Sequence, residues 1–329
     1  MDVNNEAGHR NSGPGSRGAV LVVGGTHGNE INGPWLLQTW RRGAVAVASG
    51  DLAVRAVIGN PEALAANRRY IDRDLNRSFD RERLADTESP ELEVARARHL
   101  LERHGPTGME PWLVAIVLLS TTAAMGDGRV VYGRRPADLA LAAGIQQRLG
   151  LPVYLHEGDP AQTGYLCERW PCGLVIEVGP VAQGLLNPAI VQQTRLALEE
   201  ALAVLAAARS GRLRLPEHLV VHRHCGTLDV PRDGQGAPSA LIHPQRLGRD
   251  WQPIQPGDPL FLSGSGEVIR QPAGVERTWP VFINEAAYGE KHIALALTER
   301  DHLQRQASWL TELEGVARRL EADQRGGPL

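Results

Sequence analysis

The chain has 329 residues, 42% of them hydrophobic, and its 35 basic and 38 acidic side chains leave a net charge of -3. That is enough apolar material for one large domain and a smaller one, and the near balance of charge excludes the basic footprint of a nucleic-acid-binding protein. Three cysteines, Cys167, Cys172 and Cys225, do not make a disulfide framework. No run approaches the roughly 18 consecutive apolar residues of a membrane span. Residues 1–18 lack the apolar centre of a signal peptide and read as a disordered lead. These features predict a soluble, cytoplasmic protein with neither a nucleic-acid nor a membrane partner.

Order is expected to begin at Ala19, where Ala19-Val20-Leu21-Val22-Val23 forms a buried strand that stops at Gly24-Gly25. Trp35, Leu36, Leu37 and Trp40 have helical spacing, and Leu52 to Ile58 reads as a second strand closed by Asn60-Pro61. A helix follows over Glu91 to Leu101, with Ser89-Pro90 as its cap and first position. Trp112 to Leu119, Val130 to Tyr132 and Leu174 to Val178 read as strands, and Ala137 to Leu149 and Pro188 to Ala207 as helices. Strands alternating with helices predict an α/β domain over residues 19–210, its mixed sheet covered on both faces. Short apolar runs broken by proline and glycine predict a β-rich domain over 211–290. Residues 291–329 read as a helical tail, with Leu303, Trp309, Leu310, Leu313, Val316 and Leu320 on one face. Trp309 and Leu313 are expected to pack on a domain or on a second subunit, so a homo-oligomer is compatible with the sequence.

Four places carry candidate chemistry. In Gly24-Gly25-Thr26-His27-Gly28-Asn29-Glu30, His27 and Glu30 emerge at the carboxyl end of a buried strand, where ligands of open α/β sheets gather. An imidazole and a carboxylate at that spacing can share a zinc ion, although a loop histidine beside a capping acid fits the spacing as well. Residues Arg69 to Arg77 hold three arginines, two aspartates and an asparagine, a set able to bind an anionic substrate or to serve as a solvated charged loop. Glu177 ends the apolar strand Leu174-Val175-Ile176-Glu177-Val178, where burial raises a carboxyl toward the range of a general base; the alternative is an acid capping the sheet edge. Tyr288, in Asn284-Glu285-Ala286-Ala287-Tyr288, has a hydroxyl able to reach a substrate carboxylate, or simply packs.

Taken in order, GGTHGNE, RYIDRDLNRSFD, TTAAMG, the strand ending in IEVGP, NEAAYGEK and the stretch PRDGQGAPSALIHPQRLGRDWQPIQPGDPLF resemble the aspartoacylase family, over about Ala19 to Ala294. The resemblance implies a zinc-carboxypeptidase-like fold with a smaller C-terminal β domain, one Zn2+ per subunit, and hydrolysis of a small anionic N-acyl-L-aspartate to L-aspartate and a carboxylate. By the same resemblance His27 and Glu30 match zinc ligands. Arg69 matches the arginine that polarises the scissile carbonyl, Asn76 and Arg77 match substrate-carboxylate binders, Glu177 the general acid/base, and Tyr288 a further substrate contact. Arg169 matches a carboxylate-binding arginine only with altered spacing to Glu177.

The pattern breaks at one point. Where the family places Asp-Leu-His-Asn, with its third zinc ligand, this chain has Val117-Leu118-Leu119-Ser120. Leu119 cannot bind zinc, and a catalytic zinc ordinarily takes three protein ligands and a water. His156 is the nearest unassigned histidine in the same half of the chain. The expected activity is therefore impaired hydrolysis. The alternatives are an N-succinyl-glutamate or C-terminal peptide amidohydrolase that shares the metal logic, and a catalytically weak carboxylate-binding relative that Leu119 favours.

Overall fold

The structure, a computed structural model, describes residues 19–159, 162–273 and 277–320. The disordered lead expected over residues 1–18 and the last nine residues of the expected helical tail lie outside the described residues. Its strands are β1 (Ala19–Gly24), β2 (Val54–Ile58), β3 (Trp112–Ser120), β4 (Asp127–Tyr132), β5 (Val153–His156), β6 (Cys172–Val178), β7 (His218–Leu228), β8 (Ala240–Ile242), β9 (Pro259–Ser263), β10 (Val268–Arg270), β11 (Trp279–Val281) and β12 (Leu295–Gln304). The helices are α1 (Asn32–Arg41), α2 (Pro61–Ala65), α3 (Arg81–Ala85), α4 (Leu92–His104), α5 (Pro136–Leu149), α6 (Pro188–Arg209) and α7 (Ala307–Ala317).

Among the described residues nine strands form one sheet in the order β11-β12-β7-β5-β4-β6-β3-β1-β2. β1, β2, β3 and β6 run parallel, β4 turns antiparallel to β6, and β12 runs antiparallel to β7. The fold is thus the mixed α/β sheet flanked by helices that the alternation predicts. β1 and β6 are buried along their whole length, which is why they read as unbroken apolar runs. One face packs against α1, α5, α6 and α7; α6 contributes Ile190, Ala197, Leu198, Ala201, Leu202 and Leu205 at helical spacing. No helix among the described residues is long and apolar enough to cross a membrane.

The stretch read as a β-rich domain carries β7 to β11: β7 and β11 join the main sheet, while β8, β9 and β10 make a second, three-stranded sheet with its own apolar cluster. Two readings differ from the structure. The tail expected to be helical opens with β12, whose ten residues pair with β7; sheet pairing across the molecule overrides a helical pattern that holds only from Trp309 onward. Trp309 and Leu313 are buried in the same core as α5 and α6, so the tail docks on its own chain. Finally, α4 starts at Leu92 and leaves Ser89-Pro90 outside.

The reason for that start lies far along the chain. Asp72 accepts the Leu92 N–H at 2.7 Å and so caps α4 from the loop that follows α2. In return the fully buried carboxylate of Glu93, in the first turn of α4, accepts the N–H groups of Ile71 at 2.6 Å, Asp72 at 3.0 Å and Arg73 at 3.2 Å, and the Asn60 amide at 2.9 Å. Helix and loop satisfy each other's unpaired groups, and the conformation of the 69–77 loop rests on this exchange. Glu93→Ala strands several buried donors and is expected to destabilise the protein by about 3 kcal/mol, readable in urea denaturation. An unchanged midpoint would show that the loop is held by other contacts.

Candidate active site

The site opens at the carboxyl ends of β1, β3 and β6. Past β1 the backbone turns through Gly25, whose φ of 68° is costly for any residue with a Cβ. It then passes so close to α2 that a Cβ on Gly28 would lie 2.0 Å from the Ala63 carbonyl carbon. This tight passage carries His27 and Glu30 inward, and both are buried. His27 Nδ1 lies 2.6 Å from Glu30 Oε1, and Ser120 N donates to Glu30 Oε2 at 2.9 Å.

The charged loop divides into two parts. Arg69 turns inward: Nη1 donates to Glu30 Oε1 at 3.2 Å, and Nη2 donates to Asp74 Oδ2 at 3.1 Å and lies 2.9 Å from His27 Nε2. Arg77 also turns inward and donates to Gln162 Oε1 at 3.0 Å. Arg73 points the other way and pairs with Glu91 at 2.8 Å, the solvated reading of the cluster. Asn76 is buried beside Arg77, and its Oδ1 accepts the Leu166 N–H at 2.9 Å, so part of its side chain is committed to the fold.

His27, Glu30, Arg69, Asn76, Arg77, Glu177 and Tyr288 line one cavity. Arg169 is not among its lining residues. Leu119 is among them, buried at 7% exposure and in register with Glu177 on the neighbouring strand. The leucine therefore faces the same space as His27 and Glu30. His156 lines the cavity too, among the aromatic rings of Tyr132, Tyr154 and Tyr165.

These residues do not fit a three-ligand zinc site. His27 and Glu30 supply two donors, the side chain at 119 supplies none, and no group of three or more His, Cys, Asp or Glu able to hold a metal forms among the described residues. His156 does not complete such a group.

Electrostatically the site is built from opposed charges under burial. Burial and Arg69 both work against a charged His27, yet Glu30 and Asp74 carry its pKa above the usual 6.5. Burial also opposes ionisation of Asp74, but His27 and Arg69 hold its carboxyl well below the ordinary range. Glu177 moves the other way: burial first, then Glu30 and Glu285, push its pKa well above 4.5, with Arg69 opposing. Burial, His224 and Arg77 pull His156 down to about 4.

Several residues of the site escape sequence reasoning. Asp74 lies within the charged cluster, and only the fold shows that it joins His27 to Arg69. Glu285, which also lines the cavity, pairs with the Thr121 hydroxyl, accepts the Thr122 N–H at 2.7 Å, and takes the Ala287 N–H at 3.0 Å on its other oxygen. It thereby ties the segment before Tyr288 to the end of β3. Tyr132, Tyr154 and Tyr165 come together only through strand order.

Comparison with known proteins agrees with this architecture. Residues 16–205 match the family model of the succinylglutamate desuccinylase/aspartoacylase catalytic domain, and residues 217–300 that of the AstE/AspA barrel-sandwich hybrid domain. A probable aspartoacylase of Parasynechococcus marenigrum (strain WH8102) is 56% identical over 295 residues, which cover 90% of this chain and 97% of that protein. A probable aspartoacylase of Prochlorococcus marinus (strain MIT 9313) is 57% identical over 282 residues, 86% of this chain and 92% of its own. Among solved structures, murine aminoacylase 3 superposes with a TM-score of 0.77 at 33% identity, covering 90% of this chain and 98% of its own. A succinylglutamate desuccinylase from Vibrio cholerae shares the fold, with a TM-score of 0.54 at 19% identity over 87% of this chain and 82% of its own.

The raised pKa of Glu177 makes a stability prediction with a definite sign. In the unfolded chain this carboxyl ionises near 4.5, whereas in the folded protein it resists ionisation. It therefore opposes folding increasingly as pH rises above the unfolded value, up to its folded pKa. Glu177→Gln is expected to melt at a higher temperature than the parent at about pH 7.5. The gap should close as the pH falls toward about 4.5. A gap that does not depend on pH would assign the effect to packing.

Proposed function

The chain belongs to the succinylglutamate desuccinylase/aspartoacylase family, and from that premise we propose that it binds N-acyl-L-aspartate and hydrolyses it to L-aspartate and a carboxylate, slowly as the chain stands. The observation that carries this reading is the convergence of Arg69, Arg77, Asn76, Tyr288 and Glu177 on one cavity. A buried guanidinium with a planar fork suits a carboxylate; Arg77 is the side chain for that task, with the Asn76 amide and the Tyr288 hydroxyl beside it. Arg69, next to His27 and Glu30, is placed to donate to an amide oxygen as it gathers negative charge.

Hydrolysis of the amide adds water to the carbonyl carbon, breaks the C–N bond and leaves the amine in need of a proton. Glu177 is suited to hold that proton, because its environment favours the neutral acid. The weak point is activation of the water. The family relies on zinc for this, and the donor set here stops at His27 and Glu30. Recognition therefore survives in full while turnover is limited at Leu119. The names of the relatives support the N-acyl-aspartate reading over an N-succinyl-glutamate or peptide substrate.

Two measurements test this. Calorimetric titration with N-acetyl-L-aspartate should give saturable binding, and Arg77→Lys should weaken it by about 10-fold or more, since an ammonium cannot reproduce the bidentate contact. Absence of binding to the parent chain would sink the substrate assignment. Separately, Leu119→His adds a third donor beside His27 and Glu30, and zinc stoichiometry should rise toward one per chain together with hydrolysis. Full zinc content and brisk turnover in the unmodified protein would show that position 119 is not limiting.

A further inference from the structure

In the wall of the cavity three side chains form a pile. Tyr132, the last residue of β4, and Tyr165, just before the short 3-10 turn Leu166–Arg169, stack with centroids 3.6 Å apart and planes 17° apart. The Arg77 Cζ lies 4.3 Å from the centroid of the Tyr165 ring. At that spacing the Tyr132 ring covers one face of Tyr165, so the guanidinium must take the other. Both tyrosines are buried, at 8% and 4% exposure, and Tyr132 is also in register with His156 on β5.

We propose that Tyr132 is a positioning residue for the substrate carboxylate: it fixes the plane of Tyr165 from behind, and the Tyr165 ring in turn fixes the plane of the Arg77 fork. The proposal rests on the substrate reading above and adds a residue that acts on Arg77 through the Tyr165 ring. An arginine side chain has many rotamers, and a fork that must meet both oxygens of a carboxylate gains from losing that freedom before the ligand arrives. Gln162 and the Asn76 carbonyl each accept from one nitrogen of the fork, two point contacts about which its plane can still tilt. A flat surface restrains the whole guanidinium, and that surface stays put only if something holds its far side. Tyr132 emerges from the sheet itself, so the chain of support runs from β4 through two rings to the carboxylate.

The stack can be tested with and without ligand. Without ligand, the Arg77 guanidinium 15N resonances should show slowed rotation in the parent and in Tyr132→Phe, which keeps the ring, and averaged resonances in Tyr132→Leu. If the leucine variant fails to fold, Tyr132→Met takes its place, with folding checked by circular dichroism. Unchanged rotation in the apolar variant would overturn the proposal whatever the substrate is.

With N-acetyl-L-aspartate as probe, Tyr132→Phe should bind within about twofold of the parent and Tyr132→Leu about tenfold more weakly. In an Arg77→Lys background the leucine substitution should add less than about twofold, because the planar group that it positions is gone. An equal loss in both backgrounds would reveal a merely structural role and defeat the proposal. So would a loss in Tyr132→Phe as large as in Tyr132→Leu, which would make the hydroxyl the active part. If the parent chain fails to bind the probe while Arg77 rotation still responds to Tyr132, the substrate reading has failed and the stack stands.

Discussion

The arrangement of this site hangs on a carboxylate that never meets solvent or substrate. Glu93 lies in the first turn of α4 and gathers the N–H groups of residues 71–73 around its two oxygens. Three consecutive backbone donors directed at one point leave the loop little choice of conformation. From that fixed stretch the chain runs back to Arg69 and forward to Asp74, Asn76 and Arg77. A charge buried at no exposure is tolerable only because its hydrogen bonds are complete. The same completeness makes it a poor place for variation and a good base for a binding loop.

Above this base the site is a set of mutual constraints between charges. Arg69 sits between Glu30 and Asp74, while His27 touches both acids. Glu177 stands outside this exchange, one strand over from Leu119, and burial with its acidic neighbours holds its carboxyl well above the ordinary range, whereas His27 and Arg69 hold that of Asp74 well below it. Two kinds of carboxyl therefore share one small volume, distinguished by whether cations or acids and burial dominate their surroundings. The leucine at 119 contributes to that distinction by giving Glu177 an apolar neighbour in register.

Local patterns made much of this legible. β1 and its glycine turn, the helices α1, α5 and α6, and the inward acid on β6 follow from runs of residues close in sequence. His27, Glu30 and Glu177 stood out as ionisable groups at the ends of apolar runs, whereas Arg69 and Arg77 stood out only as members of a charged cluster, and their roles, like that of Tyr288, came from the family resemblance. What local patterns could not supply was partnership across the chain. Arg73 looks like its two neighbours until Glu91 claims it. The start of α4 is displaced from Ser89-Pro90 because Asp72 offers a better cap. The Tyr132–Tyr165 stack joins residues 33 positions apart, and Glu285 reaches Thr122 across 163. β12 hides from its own sequence because its partners on β7 lie 67 to 86 residues upstream in the ladder, beyond any periodicity window.

The place of β7 in the sheet also governs how the protein comes into being. β5 has β4 on one side and β7 on the other, and β7 is in turn covered by β12. During synthesis the first six strands leave the ribosome with the far edge of β5 bare until β7 arrives, and β7 in turn shows a bare edge until β12 completes the ladder. An uncovered strand edge invites pairing with another nascent chain. The two segments recognised by separate family models are therefore not separable pieces: a fragment ending near residue 210 would keep His27, Glu30, Arg69, Arg77 and Glu177, lose Glu285 and Tyr288, and present an open edge. For this molecule, aggregation of such a fragment would report on sheet closure and say nothing against the active site it carries.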